Sequence, residues 1–226
     1  RQISNSYFYE LLSLDGYQKT LNDAIWSIQN KREMRLVEVG YDYTSIPQTV
    51  AYPIDFLPLQ ILYHRGVIHL SGIVKGKNKI LAIALNQLKK YSLTNNMFDN
   101  RDLLAALRRE MDNRFGITNN MNNEIYDIEI EFSELTGEFV KHHFWHHSQN
   151  FSKLTNGNYV MTLRCGINRE LVGWIFQWMS NARVIKPQIL QRLVKEKHLE
   201  ILDNYESDMP LSSNNSFMNT EALDKN

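Results

Sequence analysis

An α+β protein of two consecutive units is predicted by three features of the sequence. The first half packs about five short strand-like runs into roughly 55 residues, the second half alternates in the order β-α-β-β-α-β, and an asparagine-rich stretch separates the two. At 226 residues the chain is long for one compact domain and suits two of about 70 to 120 residues each.

Leu21, Ala24, Ile25 and Ile28 recur at helical spacing with polar residues between them, which predicts an amphipathic helix inside an N-terminal linker segment, residues 1–30. Val37, Val39, Tyr41 and Tyr43 then alternate with Glu38, Gly40 and Asp42, the period of a strand with one buried face. Strand-like runs follow at Thr49 to Ile54, Leu59 to Tyr63, Val67 to Val74 and Ile80 to Leu85. The breaks His64-Arg65-Gly66 and Lys75-Gly76-Lys77-Asn78 between them have the composition of hairpin turns. With no helix long enough to cover them, these strands would expose unpaired edges unless the sheet curled on itself, so a small SH3/Sm-like β-barrel is expected over residues 31–94.

After the polar stretch Thr94-Asn95-Asn96, a helix is predicted from about Asn100 through Phe115, with Gly116 as its C-cap. Asn119 to Asn123 reads as a linker, which makes residues 95–123 the connection between units. Ile128, Ile130 and Phe132 mark a strand, Glu134 to His147 a helix, and Asn150 to Thr155 with Tyr159 to Cys165 a hairpin about Asn156-Gly157. Leu171 to Met179 marks a helix, Arg183 to Ile185 a strand, and Pro187 stands at the favoured first position of a last helix. This order is the split unit of ferredoxin-like folds plus an extra C-terminal helix, over residues 124–205. The remaining tail, 206–226, has too little apolar content to offset the entropy of ordering and is expected to be flexible.

Charge balance narrows the function. Lys plus Arg and Asp plus Glu both number 25, so no global field attracts a nucleic-acid backbone and any such contact must be local. The single cysteine, Cys165, excludes an internal disulfide framework and a Cys-rich zinc site, and fits a reducing cytosol. No apolar run approaches the roughly 20 residues that span a bilayer, so no membrane partner is expected and the location read is cytoplasmic. There is no G-x-S-x-G elbow, P-loop lysine, dinucleotide glycine fingerprint or metal-spaced carboxylate cluster, so neither an enzyme nor a cofactor is expected.

Several phrases resemble one family. Tyr52-Pro53-Ile54 through Leu70, with Ile68-His69-Leu70 in the place of the name-giving Trp-Tyr-Leu, is similar to the paired strands of WYL-domain bacterial transcriptional regulators. Arg114-Phe115-Gly116-Ile117 looks like that family's linker-helix ending. Phe144 to Gln149, Asn156-Gly157, the helix from Asn168, and Val184-Ile185-Lys186-Pro187 with Leu190 resemble WCX, the C-terminal extension that accompanies WYL domains. The resemblance implies a WYL barrel that senses a nucleotide-like or oligonucleotide effector, a WCX unit that helps form a homodimer, and DNA binding through a winged helix-turn-helix upstream. Arg1 as first residue fits a chain cut from a longer one. One departure stands out: the family's Arg-x-Phe-Arg-Leu-Asp-Arg-Ile type strand reads Leu81-Ala82-Ile83-Ala84-Leu85-Asn86-Gln87-Leu88, without its arginines. Neither leucine, alanine nor glutamine replaces a guanidinium's charge and fixed donors.

The candidate ligand-binding residues are Tyr41, Tyr43, Tyr52, His64, Arg65, His69, Gln87, Trp145 and His146. The histidines and arginine, with Lys75, Lys77 and Lys79, offer a positive patch and the tyrosines offer stacking faces; the alternative is a solvated hairpin tip and a capped barrel core. His142, His143, His146 and His147 form two pairs at helical spacing, either half of a metal site or structural residues. Trp174 and Trp178 form a helical stripe suited to core or dimer contact, and Cys165 reads as a buried inert thiol. A second functional reading is a stand-alone accessory protein that binds single-stranded nucleic acid through the barrel.

Overall fold

The computed structural model describes residues 17–40, 50–77, 79–207 and 211. The chain divides into two compact units, residues 1–111 and 112–226. Each is built on an antiparallel sheet, so the protein is α+β.

The first unit opens with α1 (Gln18–Gln29), which buries Ala24 against the sheet core. Its five strands, β1 (Arg32–Val39), β2 (Ile54–His64), β3 (Val67–Val74), β4 (Lys79–Ala84) and β5 (Leu88–Met97), lie in the order β4-β3-β2-β1-β5. Met34, Leu36, Phe56, Leu70 and Ile83 are fully or almost fully buried on one face. Leu59, Ile73 and Ile80 turn to a second core that is closed by Leu107 of α2 (Arg101–Asp112). Glu33, also buried, is held by Lys75 and Asn96, which spares it an uncompensated charge.

The second unit runs β6 (Tyr126–Phe132), α3 (Glu134–Val140), β7 (Asn150–Lys153), β8 (Tyr159–Cys165), α4 (Arg169–Phe176), β9 (Ala182–Lys186) and α5 (Gln188–Glu206), with sheet order β7-β8-β6-β9. The alternation of β6 buries Ile128, Ile130 and Phe132 against Trp174 and Ile175 of α4 and Leu190 and Leu193 of α5. Asn168 caps α4 by accepting the Leu171 N–H at 3.0 Å, while its amide donates to the carbonyls of Phe115 and Thr118. The tryptophan stripe is therefore core: Trp174 is buried, and Trp178 packs edge-on to it at 5.8 Å between ring centres.

Six features differ from the sequence reading. Thr49 to Ile54 is no strand over its described part, since β2 begins only at Ile54 and continues unbroken through Pro58 to His64. Pro58 is tolerated because β1 pairs with β2 only at residues 54 to 56, so beyond them no neighbour on that side needs its missing N–H. Thr94-Asn95-Asn96, taken as a polar stretch at the end of the expected barrel, belongs to β5, whose long pairing with β1 overrides a polar sequence. The helix expected to reach Phe115 ends at Asp112, and Pro187 stands just before α5 rather than inside it. The helix expected from Glu134 to His147 stops at Val140, because the Gln149 side chain takes the N–H groups of Trp145 and His146 and donates to the His143 carbonyl. Asn119 to Asn123, expected as a linker, is tied into the second unit by the Met121 N–H to the Ile167 carbonyl at 2.8 Å.

Gly116 sits at φ +71°, and a Cβ there would lie 2.2 Å from the Glu170 carboxylate; Gly76, at φ +75°, faces open space. Gly76→Ala should therefore cost about 1 kcal/mol of conformational strain, and Gly116→Ala about 3 kcal/mol or more. Urea unfolding midpoints of the two variants give the comparison, and equal losses would show that the Glu170 contact is not confining.

Candidate functional site

Four candidate residues of the first unit, His64, Arg65, His69 and Gln87, lie at one end of the β2–β3 hairpin, whereas Lys75, Lys77 and Lys79 lie at the other end of β3 and do not join them in a positive patch. Tyr63 pairs with Ile68 and His64 with Val67, so the chain reverses over Arg65-Gly66. Both turn residues have positive φ, 49° and 81°, which matches the twist of a two-residue hairpin. His69 is buried between Leu62 and Ala84 and donates its Nδ1–H to the Val67 carbonyl at 3.1 Å. Its ring stands edge-on to His64 at 6.4 Å between centres.

The 3-10 turn Leu85–Gln87 leaves β4 directly and packs against β3, bringing Gln87 to the same end. Its carbonyl accepts the Gly40 N–H at 2.7 Å, and any Cβ at Gly40 would strike its side-chain oxygen. Two residues along β3 from His69, and on the same face, the Ser71 hydroxyl is buried without a hydrogen-bond partner. Its cross-strand neighbours are Gln60 and Ala82. His69, Ser71, Ala82 and Ala84 on this face are buried, and the exposed Arg65 stands at the turn beyond them.

Tyr52 lies elsewhere. It precedes the opposite end of β2, roughly 30 Å of extended strand from the hairpin turn. Tyr41 and Tyr43 lie outside the described residues.

Trp145 and His146 belong to the second unit, where their polar atoms are used internally. The Trp145 indole N–H donates to the Val140 carbonyl at 2.9 Å. His146 is 5% exposed; its Nε2–H donates to the Asp112 carbonyl at 3.0 Å and its Nδ1 accepts from Ser148 Oγ at 2.7 Å. Because α3 ends at Val140, the two histidine pairs do not share a helical face: His142 meets Glu138 and His143 the Phe139 carbonyl. Among the described residues no three His, Cys, Asp or Glu side chains are grouped to hold a metal. Burial pushes the Cys165 thiol up to about 12, which keeps it protonated and unreactive.

A feature that the sequence reading passed over is an open cleft of about 640 Å³ in the first unit, between the first turn of α1 and the start of β5. Lys19, Lys89 and Lys90 line it together with Tyr17 and Tyr91. The signal in the sequence was Lys89-Lys90-Tyr91, which carries no position without the strand pairing that brings it to α1.

Comparison with known proteins gives one domain match: residues 124–202 match the WCX domain. No curated protein matches the chain. Among solved structures it is similar to proteasome accessory factor B/C (PafBC) of Arthrobacter aurescens, at 12% identity and a TM-score of 0.38, covering 86% of this chain and 28% of that one. It is also similar to a CRISPR Cas-related protein, at 12% identity and a TM-score of 0.53, covering 87% of this chain and 54% of that one; that likeness is one of fold. The chain thus spans about a quarter and about half of the lengths of these two proteins.

Burial, aided by neighbouring His147, holds the His146 imidazole below its ordinary pKa. The unfolded chain takes up this proton near the usual value of about 6.5 while the folded chain resists it, so this contribution to stability is complete above that pH and is lost as pH falls below it. The thermal midpoint of the second unit should fall between neutral pH and pH 5.5 more steeply in the parent than in His146→Gln, and parallel curves would contradict the assignment.

Proposed function

We propose, taking residues 124–202 as a WCX domain, that the chain is the effector-sensing and dimer-forming region of a bacterial DNA-binding transcriptional regulator. In this reading residues 31–94 form a WYL barrel of SH3/Sm-like type, 95–123 the connection, and 124–205 a ferredoxin-like WCX unit, while DNA is read by a winged helix-turn-helix upstream. The observation that carries it is the WCX match placed directly behind a five-stranded antiparallel unit. Two further features support it. The pairing of β1 with β5, the first and last strands of the unit, suits a sheet that curls on itself, and the order β7-β8-β6-β9 is what two interleaved β-α-β units produce.

The effector surface in this reading is the hairpin end carrying His64, Arg65, His69 and Gln87. Leu81, Ala84 and Gln87 stand at the family's arginine positions, so this face favours the base or sugar portion of a nucleotide-like effector over its phosphates. The protein acts by binding and carries out no reaction.

Two-fold DNA sites require paired readers, so the chain should dimerise. Sedimentation velocity at micromolar concentration should give twice the chain mass of 26.6 kDa, and a monomer throughout that range would contradict the proposal.

A further inference from the structure

We propose that the cleft between α1 and β5 is a binding site for a small phosphorylated molecule, gripped by Lys19, Lys89 and Lys90. Its volume of about 640 Å³ lies within the range of roughly 300 to 1,000 Å³ typical of small-ligand pockets.

The backbone explains why two consecutive lysines face one cleft. Along β1, Glu38 pairs with Lys90 and the next residue, Val39, with Leu88, so Lys89 is the extra residue of a β-bulge. A bulge breaks the alternation of a strand and re-aims its side chains, which turns Lys89 and Lys90 to the same side. Lys19 approaches from α1, fixed by Asp23, which also accepts the Tyr91 hydroxyl at 2.8 Å.

Among the described residues the positive charge here is only partly compensated, Glu38 being the cross-strand neighbour of Lys90 but forming no ion pair with it. Lys19 has Asp23, but the Lys89 ammonium donates only to the Asn86 carbonyl, at 2.7 Å. Among the described residues neither Lys89 nor Lys90 has a carboxylate within ion-pair distance. Tyr17 also lines the cleft, and its hydroxyl is buried with no hydrogen-bond partner among the described residues, a cost that an acceptor oxygen would remove. Three ammonium groups and a hydroxyl around one hollow fit a phosphate's several acceptor oxygens better than a single carboxylate.

This site adjoins the hairpin end at Gln87, whose side-chain oxygen and the Lys89 side chain crowd the same side of Gly40, but its existence does not depend on the regulatory reading; that reading gives it a consequence, because α1 forms one wall and would feel occupancy. Titration calorimetry of the full chain at low ionic strength, with inorganic pyrophosphate, ADP and adenosine as probes, tests it. Both phosphates should bind one to one and adenosine should not. The double variant Lys89→Gln, Lys90→Gln should weaken phosphate binding about tenfold or more, with an unchanged unfolding midpoint, while Lys77→Gln on the β3–β4 turn should have no effect. Absence of saturable binding by both phosphates, adenosine binding as well as ADP, or equal affinity in the double variant would overturn the proposal.

Discussion

The second unit depends on how one buried carboxylate is satisfied. Glu170 is 1% exposed, and its Oε2 accepts the N–H groups of Ile117 and Thr118 at 2.6 and 2.9 Å and the Thr118 hydroxyl at 2.9 Å. A carboxyl group taken out of water costs several kcal/mol unless its lone pairs are filled, so these three donors make the position tenable. They also fasten residues 116–118 across the N-terminus of α4, where an acidic group meets the positive end of the helix dipole. Gly116 supplies the only backbone that leaves room, and Asn168 ties the carbonyls of Phe115 and Thr118 to the same helix end. Above this clamp Phe115 stacks on Trp174, which in turn packs Phe132 of the central strand β6, so one polar network orients the aromatic core.

What was legible in the sequence was what local pattern controls. Alternating Ile128, Ile130 and Phe132, the glycine turns at Gly66 and Gly157, and the stripe of α4 all carry their own signal, because a buried face imposes its period on the residues that make it. Thr94-Asn95-Asn96 carried none: β5 has few apolar residues, and its place comes from ladder hydrogen bonds to β1 that no composition reveals. The early end of α3 was hidden for a related reason. Gln149 replaces helical backbone bonds with side-chain bonds from beyond the helix. The segment at Asn119 to Asn123 was polar enough to read as a linker, yet the same amides anchor it to the second unit.

The candidate site divided along the same line. His64, Arg65 and His69 were grouped by sequence proximity across a tight turn and are close in space. Tyr52, grouped with them by residue type, lies at the far end of the strand. His146 was grouped with Trp145 among the candidate binding residues, whereas in the fold it is buried and both its ring nitrogens are taken by Ser148 and the Asp112 carbonyl. The lysine cleft needed two elements about 70 residues apart in the chain to meet, and only the pairing of β5 brings them together. The first unit thus carries His64, Arg65, His69 and Gln87 at one end of a hairpin and a hollow lined by Lys19, Lys89 and Lys90.

The regulatory account is tested most directly by operator occupancy. A DNA-binding domain that does not dimerise alone would be fused ahead of the chain, and its binding to an operator with two half-sites measured beside that of the unfused domain. The account predicts far tighter occupancy by the fusion, since the chain would pair the two readers. Equal occupancy would contradict it.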